Sequence, residues 1–493
     1  MADVIMVYPK AGTYGIIFKD LPLSLICAST ILYNKGYEIK IIDQRIDKNW
    51  EKNLKKELDK NPLLVATSAM TGQPIKYALE ISKFTKENSK IPVVWGGIHP
   101  TILPEQTLKN KYIDIIVRGE GEEIFYNLVK SLKNKEDISK IKGISYKKNG
   151  KIYHNVDAPA MNLDKLPQIP YGLVDVNKYI RNGWDEKIFS IQTSRGCPHR
   201  CGFCFSPAYS NRYWRGESVK KVMEHLRFIR EKYNPDYIYF ADNDFFVNME
   251  RAKELFIEIK KEKIDVIFGH RGLRIDEIKR MDNDFLKLMQ DIGTRELHMG
   301  AESGSQRILD IMKKDMDVRD ITLVNRRLIK FPGLLPFYNF FSGVPTETKE
   351  DIKKSTDLML KILKENPRAQ VQSFNQFTPY PGTSLYNLAK EYGFKEPTEL
   401  EQWIDFDQGD SAKNCPWINK DRQKLMDMLY FTSFFIDKKM MHLNSKRLRF
   451  TLFRMLSNTY RPVARFRFKN HLTAFPIEVM LKKAYFKWVN KNL

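Results

Sequence analysis

The chain reads as two successive series of short apolar runs separated by amphipathic stretches. In the first series, residues 4–8, 37–42, 63–68, 92–95 and 113–117 are mostly apolar and are bounded by turn residues. Runs of that kind predict strands buried on both faces, and so a parallel sheet covered by helices. Residues 23–35 predict an intervening helix that stops at Gly36, a residue suited to a left-handed C-cap. The expected element is a five-stranded, doubly wound, Rossmann-like domain over residues 1–135, with its ligand beyond the carboxyl ends of the strands. Residues 143–154 predict a hairpin on the Asn149-Gly150 turn. Residues 163–170, with Pro167 and Pro170, predict an extended linker. Residues 136–187 are thus expected as hairpin and linker.

The second series comprises residues 187–192, 236–240, 265–268, 296–299, 337–341 and 371–377. Six strands with helices between them predict a partial (β/α)6 TIM barrel over residues 188–400. Polar residues follow the strands: Asp242, Asn243 and Asp244, then Glu302 and Ser303, then Thr378. One or two would read as helix N-caps, but a ring of them at one mouth reads as a site. Residues 401–493 predict a basic, mostly helical region, with one helix over 420–441.

Composition sharpens this in two ways. The net charge is +22, and from Lys439 onward thirteen Lys or Arg stand against one acid, Glu478. They alternate with aromatic and aliphatic residues in 465–469 and 482–488. That pattern suits a cationic helical cap packed on the barrel, peripheral contact with a membrane or stacking on a nucleic acid, in that order, and nucleic acid is not expected as a partner. No run reaches the roughly 18 apolar residues of a spanning helix. Residues 3–8 lack the form of a secretory signal, so a cytoplasmic protein, at most peripheral at a membrane, is expected.

The first series also carries candidate ligand loops. Ser68 follows the third strand, Gly96, Gly97 and His99 the fourth, and Arg118, Gly119 and Glu120 the fifth. Small residues let a bulky ligand approach the backbone, and the absence of G-x-G-x-x-G after the first strand argues against a dinucleotide.

Three of the five cysteines, Cys197, Cys201 and Cys204, fall in one loop with C-x3-C-x2-C spacing. Three thiolates on one loop can hold three irons of a 4Fe-4S cluster and leave the fourth iron open. Five cysteines in 493 residues are too sparse for a disulfide framework. Structural zinc would need a fourth ligand, and His199, between two of the cysteines, would strain the loop to supply it. Cys27 and Cys415 read as packed thiols.

With Phe203 in its aromatic position, this loop resembles the signature of the radical S-adenosylmethionine superfamily. Set behind a domain containing the runs at 96–105 and 117–122, the chain resembles the cobalamin-dependent, class B methyltransferase-like branch, over roughly residues 1–390. The resemblance implies three cofactors: a 4Fe-4S cluster on Cys197, Cys201 and Cys204, S-adenosylmethionine, and cobalamin. It places Asp242 and Asn243 near the aminocarboxyl end of S-adenosylmethionine. Glu302 and Ser303 fall near its ribose, and Gly343, Val344 and Pro345 near adenine. Arg271 and Arg274 could pair with the carboxylate, or with Asp276 or Glu277. Ser68, Gly96, Gly97, His99, Arg118, Gly119 and Glu120 would border the cobalamin, without a histidine ligand to cobalt because D-x-H-x-x-G is absent.

The implied reaction methylates an unactivated carbon of a hydrophobic or membrane-associated, lipid-like small molecule. A flavodoxin or ferredoxin would supply electrons. The alternatives are an oxidative ring-forming cyclase of the same architecture, a transfer-RNA methylthiolase, disfavoured by the lack of extra N-terminal cysteines, and a cobalamin sensor or carrier with a structural cluster.

Overall fold

The computed structural model describes residues 2–12, 20–179, 186–406, 414–439, 448–474 and 480. The chain forms two compact units. One comprises Met1–Ile180, Ala208–Asn211 and Glu396–Asp407, and the other Arg181–Pro207, Arg212–Lys395 and Gln408–Leu493.

The first unit is built on a seven-stranded sheet. Its parallel strands are β1 (Val4–Tyr8), β2 (Ile39–Asp43), β3 (Leu64–Ser68), β4 (Val93–Gly96) and β5 (Ile115–Val117), and the antiparallel ones are β6 (Ile144–Lys148) and β7 (Lys151–His154). The order is β2-β1-β3-β4-β5-β6-β7. Ile5, Val7, Val65 and Ile42 are withdrawn from water against Leu54 and Ile81 of the covering helices. Val4 and Met6 on the opposite face are buried too, and that double coverage is why β1 is apolar throughout. The helix expected over 23–35 is two, Leu23–Ala28 and Thr30–Asn34. Ser29 lies between them and donates its hydroxyl to the Leu25 carbonyl.

The expected boundary at residue 135 is corrected here. The hairpin is not a separate piece, because Ile144 pairs with Val117 and extends the sheet by two strands. Ile144 and Tyr146 are buried by that pairing, which covers the β5 edge. The turn itself follows expectation, with Asn149 and Gly150 both at positive φ, as a two-residue hairpin requires. The boundary at 400 also shifts. Residues 396–406 belong to the first unit, where buried Trp403 donates Nε1 to Gln106 Oε1 at 2.6 Å and Gln106 donates to the Pro397 carbonyl at 2.8 Å.

The second unit has a six-stranded parallel sheet in the order β15-β14-β13-β12-β11-β8. Its strands are β8 (Ile188–Ile191), β11 (Tyr237–Phe240), β12 (Ile267–Leu273), β13 (Thr294–Glu302), β14 (Leu335–Ser342) and β15 (Gln370–Gln376). The ribbon of β9 (Ser194–Arg195) and β10 (Arg215–Gly216) lies between the first two in sequence. This is the partial barrel. Its β15 edge is satisfied by the chain that follows, where the expected helix to 441 ends earlier, at Ser433. Asp437 accepts the Val371 N–H at 2.8 Å, Ser433 accepts that of Phe374 at 3.3 Å, and Lys439 donates to the Val371 carbonyl at 2.6 Å. Side chains here replace the missing neighbouring strand.

His270 on β12 is fully buried. It stacks on Phe240 at 5.0 Å and is flanked by Phe245, Phe246 and Phe256. Neither ring nitrogen has a protein partner. Burial lowers its pKa from 6.5 to about 3. Between those values the unfolded chain binds a proton that the folded chain does not, so this group's stabilising contribution is complete above pH 6.5 and is lost as pH falls toward 3. The slope is at most about 1.4 kcal/mol per pH unit for one proton. Replacing His270 with Leu is expected to reduce the drop in melting temperature between pH 7 and pH 5, measured by circular dichroism.

Candidate functional site

The three-cysteine loop leaves the carboxyl end of β8, and the barrel fixes both of its ends. At the start, the Asp242 carboxylate accepts the Thr193 N–H at 3.0 Å and the Thr193 hydroxyl at 3.2 Å, and also takes the Ser194 hydroxyl. Buried Arg251 donates to the Thr193 carbonyl at 3.1 Å and the Glu217 carbonyl at 2.6 Å. Burial raises Asp242 to about 6, and its second oxygen has no protein partner. Further along, Gly202 donates to the Met312 carbonyl at 2.7 Å and accepts from the Leu385 N–H at 2.8 Å. A Cβ at 202 would come within 2.7 Å of Ser384 Oγ. Glycine there is a requirement of close approach.

The sulfurs are partly buried and meet polar neighbours. Arg274 Nη1 lies 3.5 Å from Cys201 Sγ, and the Ser206 N–H points at Cys204 Sγ at 3.4 Å. Cys197 Sγ lies 3.5 Å from Asp244 Oδ2, which is 3.3 Å from His199 Nε2. Burial raises the Cys197 and Cys204 thiols, for Cys197 with the Asp244 charge adding to it. Bound iron would reverse that balance, because a metal's charge favours the thiolate. N–H donors directed at two sulfurs suit thiolate ligands of a cluster. The donor set therefore fits the inferred cofactor.

Beside the loop, buried Lys314 holds Glu302 at 2.8 Å and stands 5.8 Å above the Phe203 ring. Glu302 sits at φ +62°, an uncommon conformation for a non-glycine residue and a form of strain found at functional sites. Arg274 donates to Asp276 at 2.8 Å and to the Lys314 carbonyl at 2.7 Å. It is thus spoken for by protein groups, with Asp276 rather than a ligand carboxylate as its partner. Arg271 lies over the Tyr239 ring. Glu277 is pushed well above the usual carboxylate range by burial and then by the charge of Asp244.

The other expected residues divide. Asn243 is exposed at the end of β11. The Ser303 hydroxyl is taken up by Ser355 and the Ser305 N–H, both at 3.1 Å. Gly343, Val344 and Pro345 are buried. Gly343 donates to Glu347 at 2.7 Å and accepts from Trp417 Nε1 at 2.8 Å, while Arg422 grips Glu347 at 2.6 Å. Lys314, Glu347, Trp417 and Arg422 were not singled out by sequence reasoning. Only Glu347 carried a signal, lying within the run after the fifth barrel strand.

In the first unit, Ser68, Gly96, Gly97, Arg118, Gly119 and Glu120 collect along the carboxyl edge of the parallel strands. His99 is buried, with Nδ1 3.0 Å from the Thr71 hydroxyl and its ring edge-on to Trp403 at 5.7 Å. Burial lowers it to about 3, so it is neutral, and its Nε2 has no protein partner. Arg118 pairs with Asp157 at 3.0 Å and with the Asn155 carbonyl, which ties down the chain after the hairpin. Gly119 accepts from the Tyr209 hydroxyl at 2.9 Å and donates to Thr101 at 3.0 Å. Gly97 lies at φ +98°, where a Cβ would come 2.7 Å from the Ala69 carbonyl oxygen. Gly97→Ala is expected to destabilise the protein by about 1–3 kcal/mol, read as a lower midpoint in urea unfolding.

Residues 191–359 match the Radical SAM superfamily and residues 13–129 match the B12 binding domain. An uncharacterized methyltransferase of Pyrococcus horikoshii is 31% identical over 372 residues, which cover 75% of this chain and 78% of the relative. An anaerobic magnesium-protoporphyrin IX monomethyl ester cyclase of Synechocystis is 28% identical over 379 residues, 75% of this chain and 73% of the relative. Among solved structures, the cobalamin-dependent S-adenosylmethionine radical enzyme OxsB, with aqua-cobalamin and S-adenosylmethionine bound, aligns with a TM-score of 0.73 at 18% identity. The alignment covers 99% of this chain and 75% of that one.

Proposed function

This chain belongs to the cobalamin-dependent radical S-adenosylmethionine enzymes, and on that footing we propose that it methylates an unactivated carbon of a hydrophobic, lipid-like small molecule. Membership makes it an enzyme rather than a sensor, and its cofactors are a 4Fe-4S cluster, S-adenosylmethionine and cobalamin. When bound, the cluster supplies the electron that cleaves S-adenosylmethionine, and cobalamin supplies a transferable methyl group.

The chain's own residues do the rest. Cys197, Cys201 and Cys204 hold the cluster, on a loop whose backbone the barrel fixes at Thr193 and Gly202. Three thiolates would leave one iron without a protein ligand, and so available to S-adenosylmethionine. Asn243 and Glu302 offer oxygens toward that ligand, and Gly343–Pro345 form a floor for adenine held by Glu347, Trp417 and Arg422. Ser68, Gly96, Gly97 and Gly119 keep the first sheet's edge low enough for a large flat ligand. His99, neutral and engaged with Thr71, borders that edge. A flavodoxin- or ferredoxin-type protein provides the electrons, and a basic C-terminal region in contact with a bilayer gives access to the substrate.

The observation that carries this reading is the coexistence in one chain of a clamped three-cysteine loop and a sheet edge that carries glycine at 96, 97 and 119. Reconstituted protein incubated with reductant, cobalamin, methyl-labelled S-adenosylmethionine and a cellular lipid extract as acceptor is expected to add the labelled methyl to a lipid, detected by mass spectrometry. Loss of hydrogen or gain of oxygen without label would instead favour the cyclase, which the relative from Synechocystis keeps in view. Cys197→Ala is expected to abolish 5′-deoxyadenosine formation. Arg274→Gln removes a cation 3.5 Å from Cys201 Sγ and is expected to lower the cluster's reduction potential, measured by potentiometric titration with electron paramagnetic resonance detection.

A further inference from the structure

We infer that the helix Leu448–Asn470 is a docking surface for an anionic lipid bilayer, an inference that rests on the lipid-like-substrate reading above. One face of this helix is fixed to the second unit. Ala464 and Phe468 are fully buried, Arg461 donates to the Asp437 carbonyl at 2.8 Å, and Arg465 donates to the Ile436 carbonyl at 2.6 Å. The opposite face carries Leu452, Met455, Leu456, Val463 and Phe466, which are 52%, 64%, 67%, 49% and 62% exposed.

The spacing of these five places them along one side of the helix, a ridge about 21 Å long at 1.5 Å per residue. A row of large apolar side chains this long, left in water on a helix fixed from behind, marks an interaction surface. The helix contains no Asp or Glu, and from Lys439 to the end thirteen cations face one acid.

The charge decides the occupant. A second copy of the chain would bring the same excess of cations against this one. Residues 475–493 add four lysines and one glutamate, so laying them on the ridge would deepen the imbalance. A nucleic acid would answer the cations but leave the aliphatic ridge wet. An anionic bilayer answers both, since its phosphates take the cations and its acyl boundary takes the ridge. Among the described residues no helix is long and apolar enough to cross a membrane, so the contact lies in the plane of the surface.

The test is flotation of the full-length holoenzyme with vesicles of phosphatidylcholine, with and without phosphatidylglycerol. Binding is read without turnover, so its failure and the failure of methyl transfer are separable. Wild type is expected to float with phosphatidylglycerol vesicles. The L456S/F466S double variant is expected to lose about tenfold or more in affinity, since it withdraws two large apolar side chains from the acyl boundary. V463W is expected to bind more tightly, with all three melting alike. The inference is overturned if wild type ignores the anionic vesicles or if L456S/F466S binds as wild type does. It is equally overturned if light scattering shows a dimer that L456S/F466S dissolves, or if RNA binding rather than vesicle binding responds to that variant.

Discussion

The two backbone hydrogen bonds at Gly202 are the constraint on which the rest of the site depends. A loop with three thiols has value only if its sulfurs are held where one polynuclear group can span them. A free loop would lose that geometry to conformational entropy at about 1–2 kcal/mol per residue. Gly202 is clamped between Met312 and Leu385, and Asp242 clamps the loop's first residues from the next strand. The buried Lys314–Glu302 pair then fills the space beside Phe203. A buried pair of this kind is weak evidence for stability, because desolvation offsets most of the attraction. Its place next to the cysteine loop and the left-handed Glu302 points instead to a role in shaping the site.

Several residues expected near S-adenosylmethionine serve the scaffold as well. Asp242 spends one oxygen on Thr193 and Ser194 and keeps the other unpartnered. Ser303 is consumed by Ser355. The turn at Gly343, proposed above as the adenine floor, is secured from a distance in sequence by Trp417 and Arg422. This gives the C-terminal region a structural part in the site, alongside its covering of the β15 edge.

Much of this was legible in the sequence because strand burial on both faces leaves an unambiguous apolar run. The cysteine spacing and the glycines at the strand ends were readable for the same reason, since local geometry dictates residue type. What escaped was long-range. Nothing in residues 143–154 announces that Ile144 will pair with Val117, and nothing around Trp403 announces its return to Gln106. Nothing in the sequence sets Lys314 apart from its neighbour Lys313, and only the fold buries it against Glu302. The basic run at 482–488, prominent in the sequence, lies outside the described residues.

The central claim is that the clamped loop leaves one iron of its cluster open to S-adenosylmethionine. Electron paramagnetic resonance of the reduced, reconstituted protein, recorded with and without S-adenosylmethionine, tests it most directly. The account predicts a 4Fe-4S signal whose g-values shift on adding S-adenosylmethionine. A spectrum indifferent to S-adenosylmethionine, or an unchanged cluster in a variant lacking Cys197, Cys201 and Cys204, would contradict it.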